Sequence, residues 1–287
     1  MIEETLGNDA DNWDILITSR RSYFDFNIRE LWRYRDLLMM FVKKDIITVY
    51  KQTILGPIWF VVQPILTTLM FVVVFGNIAN IGTDGVPQIL FYLGSITMWN
   101  YFSETLNITS KTFTDNASIF GKVYFPRLIL PLSKVVSGLM KFLIQFALFL
   151  IVWLYYLLIK KSISPNVYIM LIPVLLAAMA AISLGFGLFI TSVTTKYRDL
   201  AFLVSFGVQL LMYATPVIYP LSRIHHHRIW LWLNPLTSLF ETFKYAFFGS
   251  GTFSLPWLLY SLAFTAVLLT LGIVVFNKVE KRFIDTA

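Results

Sequence analysis

Thr97, Asn100, Glu104, Asn107 and Lys111 recur at spacings of three, four, three and four residues. On a helix they gather within a stripe about 80° wide. Phe60, Gln63, Thr67 and Phe71 repeat the pattern, as do Ser137, Lys141 and Gln145, and Ser205, Gln209 and Tyr213. Each set interrupts an otherwise apolar stretch. Polar groups facing lipid are costly, so these lines are expected to face a bundle interior, a subunit contact or an aqueous path. A lining of hydroxyls, amides and aromatic rings suits a sugar chain, whose hydroxyls want hydrogen bonds and whose ring faces are apolar. Hydrogen bonding between helices, with no substrate involved, accounts for the same residues. Glu104 and Lys141 each fall about 6–11 Å inside the inner boundary of their stretch, at 1.5 Å per residue. Opposite charges at matching depth relieve each other's burial, so the two are expected to pair.

Other chemistry finds little support. No GxxxxGK[ST] run occurs, because Gly121-Lys122 has neither the earlier Gly nor the following Ser or Thr; the chain carries no phosphate-cradling loop of that kind. Glu104 is the one acidic residue expected within a crossing, too few for a proton relay of the sort ion-driven transporters use. The run His225-His226-His227 does not converge on one helical face and has no neighbouring acid, which favours a surface loop over a metal site. Cys is absent, so disulfides and thiolate chemistry are excluded. No nucleophile–base pair stands out among the Ser residues.

The elements that must position these lines are membrane spans. The chain is 57% hydrophobic and only 14% charged, with mean hydropathy +0.70, a polytopic membrane composition. Residues 54–76 run without a formal charge for the length that crosses a hydrocarbon core of roughly 30 Å. Five further crossings are expected at 88–108, 134–159, 167–193, 200–218 and 255–276, making an all-α protein of six spans. Among the 23 Lys and Arg, Lys160, Lys161, Arg223, Arg228 and Lys244 fall on the outer side and Lys141 within a span. The others fall on the inner side, which places both termini in the cytoplasm. Lys160 and Lys161 run against this rule. The net charge of +7 is thereby assigned to loops facing anionic lipid rather than to nucleic acid.

Residues 1–27 read as a polar lead-in without the apolar core of a signal peptide. From 28 to 51, Leu31, Leu38, Val42, Ile46 and Val49 share one side at 100° per residue, with Arg33, Lys44 and Lys51 opposite. That is an interfacial amphipathic helix. Residues 52–287 form a single membrane domain. In 167–193, Ala177, Ala181 and Gly185, with Ala180, Ser183 and Gly187 beside them, allow close helix approach. Residues 219–254, rich in Trp and Phe but broken by Pro220, Pro235, Gly249 and Gly251, are expected to form short re-entrant or interfacial helices on the outer face. The basic loop 109–133 contains Phe120, Val123, Tyr124 and Phe125 before Pro126-Arg127, the pattern of a short helix seated in a partner's groove or of one lying on the membrane surface.

RELWRYRDLL at 29–38, YKQTILGPIWFVVQP at 50–64, GKVYFPRLILP at 121–131 and TTKYRDL at 194–200 together resemble the permease subunits of ABC-type polysaccharide exporters. These include O-antigen exporters of the Wzm type and related teichoic acid and capsule exporters. The resemblance covers nearly the whole chain in the same order. It implies a six-span permease of the bacterial cytoplasmic membrane that pairs as a homodimer with two separate ATPase subunits and moves a lipid-linked polysaccharide outward. ATP and Mg would sit on the partner, and no cofactor or enzymatic activity on this chain. It also implies a coupling helix around Asn116, Phe120, Lys122, Val123, Tyr124, Phe125, Pro126 and Arg127, assisted by Tyr197, Arg198 and Asp199, with the outer mouth closed by 220–250. A small-drug or lipid exporter on the same scaffold, and a membrane glycan-processing enzyme, are the alternatives.

Overall fold

The computed structural model describes residues 28–51, 56–116, 125–194, 199–224 and 228–284, and every regular element among them is helical. The amphipathic segment forms α1 (Ile28–Arg33) and α2 (Arg35–Lys51). Hydrogen bonds from Tyr34 N to Glu30 O and from Leu38 N to Tyr34 O carry the ladder across their junction. Val42 is buried and Leu31, Leu38 and Ile46 half-buried, whereas Arg33 and Lys44 are exposed, the division that the 3.6-residue period requires.

A 3₁₀ turn at Gly56–Ile58 leads into α3 (Trp59–Phe71), which loosens into a π-helix over Val72–Ile78. Pro64 lies inside α3 and removes one ladder donor there. Next come α4 (Gln88–Thr109), the short α5 (Thr112–Asp115) and α6 (Ile129–Tyr155), the last with a π-helical end at Tyr156–Lys160. A 3₁₀ turn at Val167–Leu171 opens α7 (Ile172–Thr194). The remainder is α8 (Leu200–Tyr213), α9 (Arg228–Leu233), α10 (Pro235–Phe248) and α11 (Leu255–Ile284).

Among the described residues, four stretches are long and apolar enough to cross a membrane: Trp59–Ile78, Ile129–Lys160, Val167–Thr194 and Leu255–Val279. The 22-residue α4 has the length but not the apolarity. It can hold its amides and carboxylate because α3, α6, α7 and α10 pack around it, so it faces protein rather than lipid. The 14 residues of α8 reach only about 21 Å. It stops well before the expected 218, because Pro216 steers the preceding residue away from helical geometry and Val217 N closes a tight turn onto Thr215 O.

The glycines of α7 mark where helices touch. A Cβ on Gly272 of α11 would lie 2.5 Å from Gly185 O, and one on Gly187 would lie 1.9 Å from Thr109 Oγ1 of α4. Close packing is therefore the role of this row, although Ala177 is exposed and takes no part. Within the segment expected to form short re-entrant or interfacial helices, α10 is buried in protein along nearly its whole length. Phe240, Phe243, Phe247 and Phe248 interleave with Trp99, Phe149 and Trp153. Asn234 caps it by accepting from Leu236 N at 3.0 Å, with Pro235 in the first turn. Gly249 ends it at φ +70°, where an added Cβ would meet Ser164 O at 2.4 Å.

Candidate functional site

Phe60, Glu104, Ser137 and Lys141, drawn from three of the polar lines, meet at a cavity of about 550 Å³ bounded by α2, α3, α4 and α6. Glu104 of α4 and Lys141 of α6 form the expected ion pair across it. The Lys141 ammonium also stands 5.3 Å from the centroid of the Phe60 ring on α3, within cation–π range. One helical turn or more toward the start of α6, Lys134 donates to both carboxylate oxygens of Asp45, at 2.7 and 2.8 Å. Ser137 adds a third contact to that carboxylate at 3.2 Å. All four charged side chains keep partial access, between 22% and 39%. Each positive charge has a negative partner, so the cavity is polar at its base without net charge. Thr105 is buried and also lines the cavity, and its Oγ1 has no hydrogen-bond partner among the described residues.

Beyond the cavity the α4 line divides between two neighbours. Asn100 donates to Gln145 Oε1 of α6 at 3.3 Å, whereas Asn107 accepts from Ser205 of α8 at 3.2 Å. Thr97 is fully buried and satisfied by Leu93 O. Asn100 and Asn107 thus tie helices together, whereas Thr97 is bonded within its own helix. Gln63 on α3 and Gln209 and Tyr213 on α8 are exposed, Thr67 is half-buried and bonded to Gln63 O, and Phe71 packs on Phe75 and Tyr92.

A second charged cluster lies in the aromatic core. Glu241 and Lys244 of α10 are 1% and 2% exposed and pair at 3.2 Å. Lys244 also donates to Pro216 O and lies 4.5 Å from the centroid of the Phe91 ring. Glu241 accepts from Thr252 N and Oγ1, each at 3.0 Å. Burial pushes the Lys244 ammonium below its ordinary range, and Glu241 opposes that fall.

A family model described as ABC-2 type transporter matches residues 36–248. The chain belongs to that family. Among curated relatives, this ABC-2 transporter chain is similar to the O-antigen export system permease protein RfbA of Myxococcus xanthus. The two are 27% identical over 262 residues, covering 90% of this chain and 98% of the relative. An RfbA permease of Klebsiella pneumoniae is 27% identical over 252 residues, covering 87% and 94%. The capsule polysaccharide export inner-membrane protein CtrC of Neisseria meningitidis serogroup A is 25% identical over 250, covering 83% and 89%.

For the ABC-2 chain, several expected coupling residues fall outside the described ones: Phe120, Lys122, Val123, Tyr124, Tyr197 and Arg198. The histidine run 225–227 does so too. Asn116 is half-buried and bonded to Thr112 O, and Asp199 is exposed. Phe125 points inward, 5% exposed, against Phe41 of α2 at 5.8 Å between ring centroids. Pro126 is buried behind it and Arg127 half-buried. Asp45, Lys134, Thr105 and Glu241 were not anticipated in these roles. Asp45 carried a signal, since at 100° per residue it falls beside Leu38 and Val42 on the apolar side of α2, where a carboxylate needs a partner. Thr105 carried none.

Proposed function

We propose that the chain is the membrane-spanning subunit of an ATP-driven exporter that carries a lipid-linked polysaccharide outward across the bacterial cytoplasmic membrane. The observation that carries this reading is the ABC-2 match over 36–248, joined by relatives named as O-antigen export permeases along almost their full length. The lack of a P-loop in the sequence accords with ATP and Mg being held by a separate ATPase subunit. In this reading α3, α4, α6, α7, α8 and α11 are six spans, with both termini cytoplasmic and with α9 and α10 at the outer end.

Two copies of the chain enclose the path. Exposed faces on α3 and its π-helical continuation (Leu66, Met70, Val73) and on α8 (Phe202, Phe206, Tyr213), interrupted by exposed Gln63 and Gln209, supply apolar contact with intermittent polar groups, suited to a subunit seam beside a sugar path. The segment 116–127 couples to the ATPase, with Phe125 anchoring it to α2 and Arg127 at its edge. Nucleotide drives transport only by favouring one arrangement of the spans over another.

Removing the gene in a strain that makes the polymer should trap polymer inside the cell. Tagged chain should bring down an ATPase subunit, and Arg127→Ala should weaken that capture while membrane insertion persists. Polymer reaching the surface at normal levels, with a small amphiphile retained instead, would favour the small-molecule exporter. Turnover of glycan by the chain without an ATPase would favour the enzyme.

A further inference from the structure

The cavity between α2 and α6 has an order along its length. Asp45, Lys134 and Ser137 lie at the end nearest the start of α6, then Lys141, and then Leu143, Ile144 and Ala147. From Lys134 to Ala147 the rise is about 20 Å at 1.5 Å per residue. Met140 and Leu143 on its rim are exposed, so the cavity opens sideways on an apolar face rather than into the bundle. A molecule that matches this gradient has a charged head and an apolar tail, and lies parallel to α6.

The charges select the head. Two ammonium groups and two carboxylates face the cavity as Lys134–Asp45 and Lys141–Glu104. A head bearing only negative charge meets two carboxylates as well as two lysines, and loses by repulsion what it gains by attraction. A zwitterionic head exchanges partners without changing the charge balance. Its phosphate takes the lysines and the hydroxyl of Thr105, and its primary ammonium takes the carboxylates. We propose that this cavity is a binding site for phosphatidylethanolamine, a zwitterionic phospholipid of the inner leaflet. The placement in that leaflet rests on the exporter orientation given above; the head-group preference rests on the charges alone. A phosphatidylcholine head offers no N–H to the carboxylates, and a phosphatidylglycerol head has no cation.

The test uses the full-length chain, purified in detergent with the subunits that accompany it, delipidated, titrated with each of the three phospholipids and read by native mass spectrometry. One phosphatidylethanolamine per chain should be retained about tenfold more tightly than phosphatidylglycerol, with phosphatidylcholine between them. Thr105→Val removes the unpartnered hydroxyl at little cost to folding, and Ala147→Trp fills the apolar end of the cavity at an exposed position. Each should lower retention several-fold while circular dichroism stays native. Equal retention of phosphatidylethanolamine and phosphatidylglycerol overturns the site, as does retention unchanged in both variants, or occupation by a lipid-linked pyrophosphate in place of phospholipid. If polymer export still requires the gene in that case, the exporter reading stands and the lipid site alone falls.

Discussion

Two carboxylate–ammonium arrangements in one chain have opposite characters. Glu241 and Lys244 are almost wholly buried, with the Phe91 ring beside the ammonium, and carbonyls and Thr252 satisfy what they do not give each other. Glu104–Lys141 and Asp45–Lys134 sit on the wall of a cavity with partial access. A charge sealed in low dielectric cannot lose its partner without a large penalty, whereas a charge beside an open cavity can turn to water, a head group or a new neighbour. The first arrangement therefore fixes α10 in place. The second leaves α2, α4 and α6 able to adjust against one another.

The sharpest way to break this comparison is Lys244→Met. It strands Glu241 in the core and should cost about 3–5 kcal/mol, read as loss of folded protein after detergent extraction. The double variant Glu241→Gln with Lys244→Met should recover part of that loss. Phe125→Ala should follow at about 3–5 kcal/mol, because a buried ring leaves a cavity beside Phe41; a melting temperature close to wild type would show that the ring belongs to a partner instead. Lys141→Met should cost no more than about 1 kcal/mol, since its carboxylate partner keeps partial access. A loss equal to that of Lys244→Met would erase the distinction between the two regions. Smallest of all, Gln209→Leu on exposed α8 should change the stability of the chain by less than about 0.5 kcal/mol, and a fall in polymer export without that loss would place the amide on the path.

What was legible in the sequence depended on which period carried the information. The amphipathic face of α2, the close approach at Gly185 and Gly187, and the Glu104–Lys141 pair all follow from spacing along one helix plus a rule about depth. Contacts between elements distant in the chain were less visible. Nothing local says that Phe125 folds back onto Phe41, or that Asp45 reaches Lys134. The aromatic stretch around α10 left its degree of burial open for a physical reason. Trp and Phe favour membrane interfaces and protein cores alike, and only the Glu241–Lys244 spacing of three residues hinted that its charges satisfy each other inside. The end of α8 was missed because apolar continuity through Val217 and Ile218 outweighed the stop imposed by Pro216.

The meeting of Gly185 and Gly272 has one more consequence. With main chain resting on main chain at this crossing, α7 and α11 have no side chain between them there to yield, so neither can slide along the other without first lifting away. They make a keel. Whatever rearrangement accompanies a transport cycle must be taken up by the rods around it, and α3 and α8, which show so much of their surface, are the ones least held by the rest of their own chain.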